Sequence, residues 1–245
     1  MTAVPVAWRS PVILQRPGNA PGHDSGDDEM ARKTKEEADK TRHLLLDAAE
    51  QLFWEHGVSK TTLAGIAEHA GLTRGAIYWH FDNKSDLFNA MCERAFPQFE
   101  EMMQALLQED ACPGQTPAQR LWQHSCGVLH LVTTSPRIAR VVGIINLRCE
   151  FVGEMQNTYL LDRSWLMEKV GNLHAMLSQA AERGQVRPGI DLACASGCLH
   201  SMICGLVDSW MLNPQVVDLE NHCTQLLTPF FAGVFIDECW LPSPL

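Results

Sequence analysis

The tightest constraint on this chain is the stretch Thr62–Phe81, where two short apolar-periodic runs flank a single glycine turn. Gly71 adopts positive φ at no steric cost, so the chain can reverse over Gly71-Leu72. Leu63, Ile66 and Ala70 fall on one face of the first run, and Ala67 is small enough to let a second helix come close. Ile77 and Phe81, four apart on the second run, face the same core. Arg74 and Tyr78 share that spacing and are left on the opposite side. Thr61-Thr62 and Thr73 stand where N-caps are needed, and Asn83 followed by Asp86 resembles a capping box for a further helix. The pattern predicts a helix-turn-helix corner.

The outward residues have the chemistry of nucleic-acid readout. Arg74 can contact guanine O6 and N7 in a bidentate manner, and Ala76 can touch a thymine methyl. Gly75 and Ala76 carry almost no side chain, so the backbone can lie close to base edges. Tyr78 and His80 can donate to phosphate oxygens. Lys84 adds charge at a helix start already favourable to phosphate, and the amides near Thr61 and Thr62 form a similar site. Phosphate contacts of this kind set register, and the few base-edge groups specify sequence.

A net charge of −10 runs against DNA binding until it is divided along the chain. Residues 30–84 carry eight basic and eight acidic side chains, whereas residues 85–245 carry nine and seventeen. The acidic remainder should face away from phosphates. No run of about 18 apolar residues occurs, so no membrane partner is expected. The Pro-rich start lacks the apolar stretch of a signal peptide, which predicts a cytoplasmic protein. The nine cysteines form no C-x-x-C pair; they read either as buried reduced thiols or as a redox or metal sensor. No G-x-S-x-G, phosphate loop or H-E-x-x-H is present, and the ten histidines are scattered, so no enzyme, metal or cofactor is expected.

Four segments follow. Residues 1–29, rich in Pro, Gly and Asp, are expected to be a disordered extension; either Met30 is the biological start or these 29 residues are a dispensable tail. Residues 30–88 form the helix-turn-helix domain, residues 89–236 a helical domain, and residues 237–245 a tail. The fourth helix is expected to carry Leu87, Met91, Phe96, Phe99 and Met103. Later helices are predicted over 117–134, 137–149, about 155–183, 191–212 and 216–236, with Gly184 and Pro188-Gly189 as breaks. The fold class is all-α: about nine helices, three in the head and six beyond, and no sheet.

Arg74-Gly75-Ala76-Ile77-Tyr78-Trp79-His80-Phe81, followed by Asn83-Lys84, resembles the signature of TetR-family repressors. The stretches Met30–Ala38 and Arg148–Met155, with a weaker echo at Gly205–Trp210, are similar to the AcrR/TtgR-type repressors of multidrug-efflux genes. The resemblance implies a homodimer that holds two recognition helices roughly 34–36 Å apart on double-stranded operator DNA. It also implies an effector that moves the fourth helix and releases the operator. At matching positions it implies DNA contacts at Thr61 or Thr62, Thr73, Arg74, Gly75, Ala76, Tyr78, Trp79, His80 and Lys84. Arg32, Lys33 and Lys35 resemble a basic arm ahead of the first helix; a solvated tail is the other reading.

The candidate lining of a pocket for a small hydrophobic effector is Phe96, Phe99, Met103, Trp122, Cys126, His130, Phe151, Trp165, Met202 and Trp210, although for each residue singly ordinary core packing is the stronger reading. Glu150, an acid on a largely apolar helix, needs either an arginine such as Arg148 or a ligand amine. Leu192, Leu199, Ile203, Leu206 and Trp210, with Leu219, Cys223, Leu226, Leu227 and Phe230, are expected to form a dimer bundle. A repressor of efflux genes is the leading function; an activator, or a regulator of a metabolic operon, is the alternative.

Overall fold

In the head, the helices that begin at Leu63, Arg74 and Lys84 are each fixed by a side-chain cap. The computed structural model describes residues 25–97, 101, 114–158, 163–237 and 239–241, with side chains for 34–97, 101, 114–156, 158, 166–237 and 239–241. It divides into two units, Met1–Lys40 and Thr41–Leu245. Helix α1 (Ser25–His56) begins in the first unit, where residues 25–40 are helical and Thr34–Glu37 are exposed. Most of the expected disordered extension, residues 1–24, lies outside the described residues.

In the second unit α1 ends at Gly57, whose φ of +82° permits the reversal. Thr62 caps α2 (Leu63–His69) by accepting from the Gly65 N–H at 3.1 Å. The α2 exit is a Schellman turn: Leu72 N–H donates to Ala67 O at 2.8 Å and Gly71 N–H to Glu68 O at 3.0 Å, with Gly71 at φ +71°. Thr73 caps α3 (Arg74–His80) and Asn83 caps α4 (Lys84–Ala95). Asp86 does not close the box on Asn83; its carboxylate accepts from the Asp82 N–H instead. Helix α4 ends at Ala95 with Phe96 as its C-cap, because Pro97 has no N–H to continue the hydrogen-bond ladder. A single fourth helix running to Met103 is therefore corrected, and Phe99 and Met103 lie outside the described residues.

The second half continues with α5 (Pro117–Thr134), opened by a Thr116/Gln119 capping box, and α6 (Pro136–Gly143) after a 95° bend. The segment Ile144–Arg148 is π-helical, and Gly153–Asn157 forms a 3-10 turn. Helices α7 (Arg163–Glu182), α8 (Leu192–Leu212) and α9 (Leu219–Val234) follow. Among the described residues the non-helical pairing is one isolated bridge, Val186 to Phe235.

Two cores result. The head core joins Leu45, Phe53, Ile66, Ile77, Phe81, Phe88 and Met91 to Val141, Ile144 and Met155, so residues well beyond 88 close it. The second core packs α5, α7, α8 and α9 around Leu121, Leu177, Leu199, Leu227 and Phe231. The expected tail contributes to this core. Trp240 is buried with its ring 4.5 Å from Trp122, and Gln119 Nε2 donates to Leu241 O. Helix α8 has the length and apolarity of a membrane span, and its Leu199, Ile203 and Val207 pack inside the second core.

Candidate nucleic-acid interface and effector domain

On α3 the inward and outward faces separate as the spacing predicts. Ile77 and Phe81 are buried, and the Arg42 guanidinium lies over the Phe81 ring at 5.4 Å. Arg74 is exposed and its guanidinium stacks over Tyr78 at 5.6 Å. Tyr78 is 46% and Trp79 73% exposed, large values for aromatic rings. His80 is half-buried and packs edge-on against Trp79. A Cβ on Gly75 would meet nothing nearer than Thr73 Oγ1 at 3.9 Å, so no contact within the described chain requires glycine there.

Two expected contacts are built differently. Thr61 is buried, and its hydroxyl donates to Gly57 O at 2.8 Å and to Leu52 O at 3.3 Å; exposed Thr62 is the cap. The Lys84 ammonium is turned inward, donating to Val58 O at 2.9 Å and Thr61 O at 3.1 Å, and its amide donates to Glu154 Oε1 at 2.7 Å. Arg32 and Lys33 lie inside α1 instead of in an arm ahead of it, and their side chains are outside the described residues.

The effector candidates with described side chains fall in several places. Trp122, Cys126, Met202 and Trp210 belong to the second core, Phe151 packs edge-on against Phe88 of the head, and half-buried Phe96 touches both cores. His130 is exposed. Glu150 is also exposed and sits in the link after the π-helical segment, so the need for a buried partner disappears. Trp165 lies on α7, its side chain outside the described residues. A surface groove lined by Leu52, Lys60, Thr62, Gly65, His69 and Arg148 opens in the head, and none of the effector candidates lines it.

Three features escaped the sequence reading. The first is polar: α5 turns Arg120 and His124, four apart, inward. Arg120 is 1% exposed and donates to Gln179 Oε1 at 2.8 Å. Burial first, and then Lys169, pulls the His124 pKa down to about 4. The second is ionic. Asp47 and Glu50 of α1 meet Arg94 of α4 and Arg137 of α6, with Asp47 2.9 Å from Arg94 and 3.1 Å from Arg137 and Glu50 paired with Arg94. Acids three apart on one helix face and basic residues on later helices were the available signal. The third is steric: a Cβ on Gly143 would lie 2.6 Å from the Trp54 ring, so any larger residue on α6 would have to displace that ring of α1.

The expected dimer faces are corrected at four positions. Leu199, Ile203, Leu219 and Leu227 are intrachain core. Helix α8 instead exposes Cys194, Cys198, Ser201, Cys204, Gly205 and Leu212. Two of the thiols do not resemble an activated sensor: burial, then Cys223, pushes Cys126 up to about 12, and burial raises Cys204.

Residues 45–91 match the family described as "Bacterial regulatory proteins, tetR family", and residues 116–233 match "MAATS-type transcriptional repressor, C-terminal region". The HTH-type transcriptional regulator AcrR of Shigella flexneri is 37% identical over 193 residues, covering 79% of this chain and 88% of that one. NalD, the secondary repressor of the MexAB-OprM multidrug efflux pump in Pseudomonas aeruginosa, superimposes with a TM-score of 0.72 at 32% identity, covering 82% of this chain and 99% of that one. SmeT, the repressor of the Stenotrophomonas maltophilia efflux pump SmeDEF, matches in its triclosan complex with a TM-score of 0.70 at 30% identity, covering 84% and 96%.

Proposed function

Because the chain belongs to the TetR family of bacterial transcriptional repressors, we propose that it represses efflux-pump genes as a homodimer and leaves its operator when a small hydrophobic effector binds the α5–α9 domain. The observation that carries this reading is the outward face of α3. There Arg74 and Tyr78 stand exposed on a helix whose inward side, Ile77 and Phe81, is locked into the head core.

The proposed contacts are Thr62, Thr73, Arg74, Gly75, Ala76, Tyr78, Trp79 and His80. Arg74 reads a guanine edge, and the glycine at 75 lets the backbone approach the groove. Tyr78 and His80 donate to phosphates. Two such helices must be presented together, and the outward face of α8 supports pairing with a second copy. Its residues are small or apolar, so two helices can approach closely across a two-fold axis. A cytoplasmic location follows from a partner that is chromosomal DNA. The effector reading is supported by the aromatic and sulfur-bearing lining of the second core, since methionine adapts to ligands of varied shape.

The test is binding of the purified protein to duplex DNA from its own promoter at low salt, in the absence of effector. A saturable complex containing two chains is expected, and a chain that ignores the duplex overturns the reading. Arg74→Ala is expected to cost about 1–3 kcal/mol of operator discrimination while non-specific binding survives. Deleting the gene should raise transcription of a neighbouring transporter; a fall would mark an activator instead.

A further inference from the structure

We propose that Lys84 and Glu154 are positioning residues for DNA binding: they clamp the α1–α2 loop and the start of α4 to the Gly153–Asn157 turn, and neither touches DNA. The inference rests on the repressor reading above.

Lys84 has the position of a phosphate contact but not the geometry of one. An ammonium has three N–H donors. The Lys84 Nζ faces three carbonyls of one loop, Val58 at 2.9 Å, Thr61 at 3.1 Å and Ser59 at 3.5 Å. A phosphate would have to displace these acceptors. The first amides of α4 would also serve a phosphate, since they have no partner inside the helix. The amide of Lys84 is already taken by Glu154 Oε1 at 2.7 Å, and that carboxylate would repel a phosphate at the same place.

Glu154 is held in turn. The 3-10 turn that carries it is anchored by Met155, 3% exposed in the head core. Just before it, Arg148 O accepts from the Val58 N–H at 2.9 Å. The loop between α1 and α2 is therefore pinned from two sides, by the Arg148 carbonyl and by the Lys84 ammonium. That loop ends in Thr62, the cap of α2, and α2 sets the angle of α3 through the Gly71 turn. A shift of the Arg148–Asn157 segment would reach the recognition helix through these named hydrogen bonds.

Salt dependence separates this role from a phosphate contact. Removing one phosphate contact lowers the slope of log K against log salt by about 0.9. For Lys84→Met the clamp predicts operator affinity lower by about tenfold with the slope unchanged. A slope reduced by about 0.9, or an unchanged affinity, overturns the proposal. Glu154→Ala supplies a second sign. Removing an acid near DNA should raise affinity if charge alone matters, whereas the clamp predicts a fall. Glu154→Gln, which keeps an acceptor oxygen, should restore most of the loss. Amide exchange of the free protein gives a readout without DNA: both Lys84→Met and Glu154→Ala should speed exchange at Val58–Thr61. Unaltered exchange there overturns the clamp even if the wild type binds DNA; failure of the wild type to bind overturns only the repressor reading.

Discussion

His124 places an imidazole in the second core with its Nδ1 enclosed and without a hydrogen bond among the described residues. Burial disfavours its charged form, and Lys169 adds to the effect, so its pKa falls from 6.5 to about 4. Between those values the unfolded chain holds more protons than the folded one. Stability is complete above about pH 6.5 and is lost as pH falls toward 4, by about 3 kcal/mol in all. Urea midpoints at pH 7.5 and pH 5 should therefore separate for the wild type and draw together for His124→Asn. Half-buried His200 is lowered too and contributes a loss of the same sign in both proteins, so the difference between them isolates His124. An equal pH dependence in the two would remove this account. Position 124 was legible only as one histidine among ten; its burial required α7 to be in place. Arg74 and Tyr78 needed no such help, because spacing along one short helix decides which side they occupy.

Elements with local start and stop signals were readable from sequence. Thr62, Thr73, Asn83 and Thr116 each cap the helix that follows, and α5 spans 117–134 as its periodicity predicts. Gly71 is the sharpest of these signals. At φ +71° an alanine costs roughly 1–2 kcal/mol, although no neighbour lies within 4 Å of its Cβ. Gly71→Ala should lower the thermal midpoint by a few degrees and weaken operator binding, because the turn sets the angle between α2 and α3. An unchanged midpoint would show that the turn accommodates the strain. The π-helical segment Ile144–Arg148 was read as ordinary helix, since its register is imposed from outside: Arg148 O is drawn to Val58 and its guanidinium lies 5.5 Å from the Trp54 ring. The faces of α8 were also only partly separated. Its apolar residues circle the helix, and periodicity alone cannot say which arc meets α7 and which meets solvent.

At the scale of the molecule, head and effector domain are joined by charge as well as by packing. Glu50 is 4% exposed and meets Arg94 and Arg137, which lie on different helices from it and from each other. Removing one member of a buried pair leaves the other charge uncompensated, so Glu50→Gln should cost about 3 kcal/mol in urea unfolding. A double-mutant cycle with Arg94→Met should show non-additive losses; strict additivity would mean the two charges do not depend on each other. Asp47, which also reaches both arginines, should soften the loss, since it remains in place. The same cluster ties α4 to α1 and α6, so an effector that displaces α4 must also rearrange these pairs.

The order of helices, their caps and the outward chemistry of α3 were determined by the sequence alone, because each depends on residues within one or two turns of one another. Tertiary structure alone decided what becomes of long polar and apolar side chains whose partners lie far along the chain. Lys84 turns to the carbonyls of residues 58–61, Thr61 withdraws into the loop, and Trp240 joins the second core. The reason is physical: a hydrogen bond or a buried face is specified by both partners, and local periodicity names only one of them.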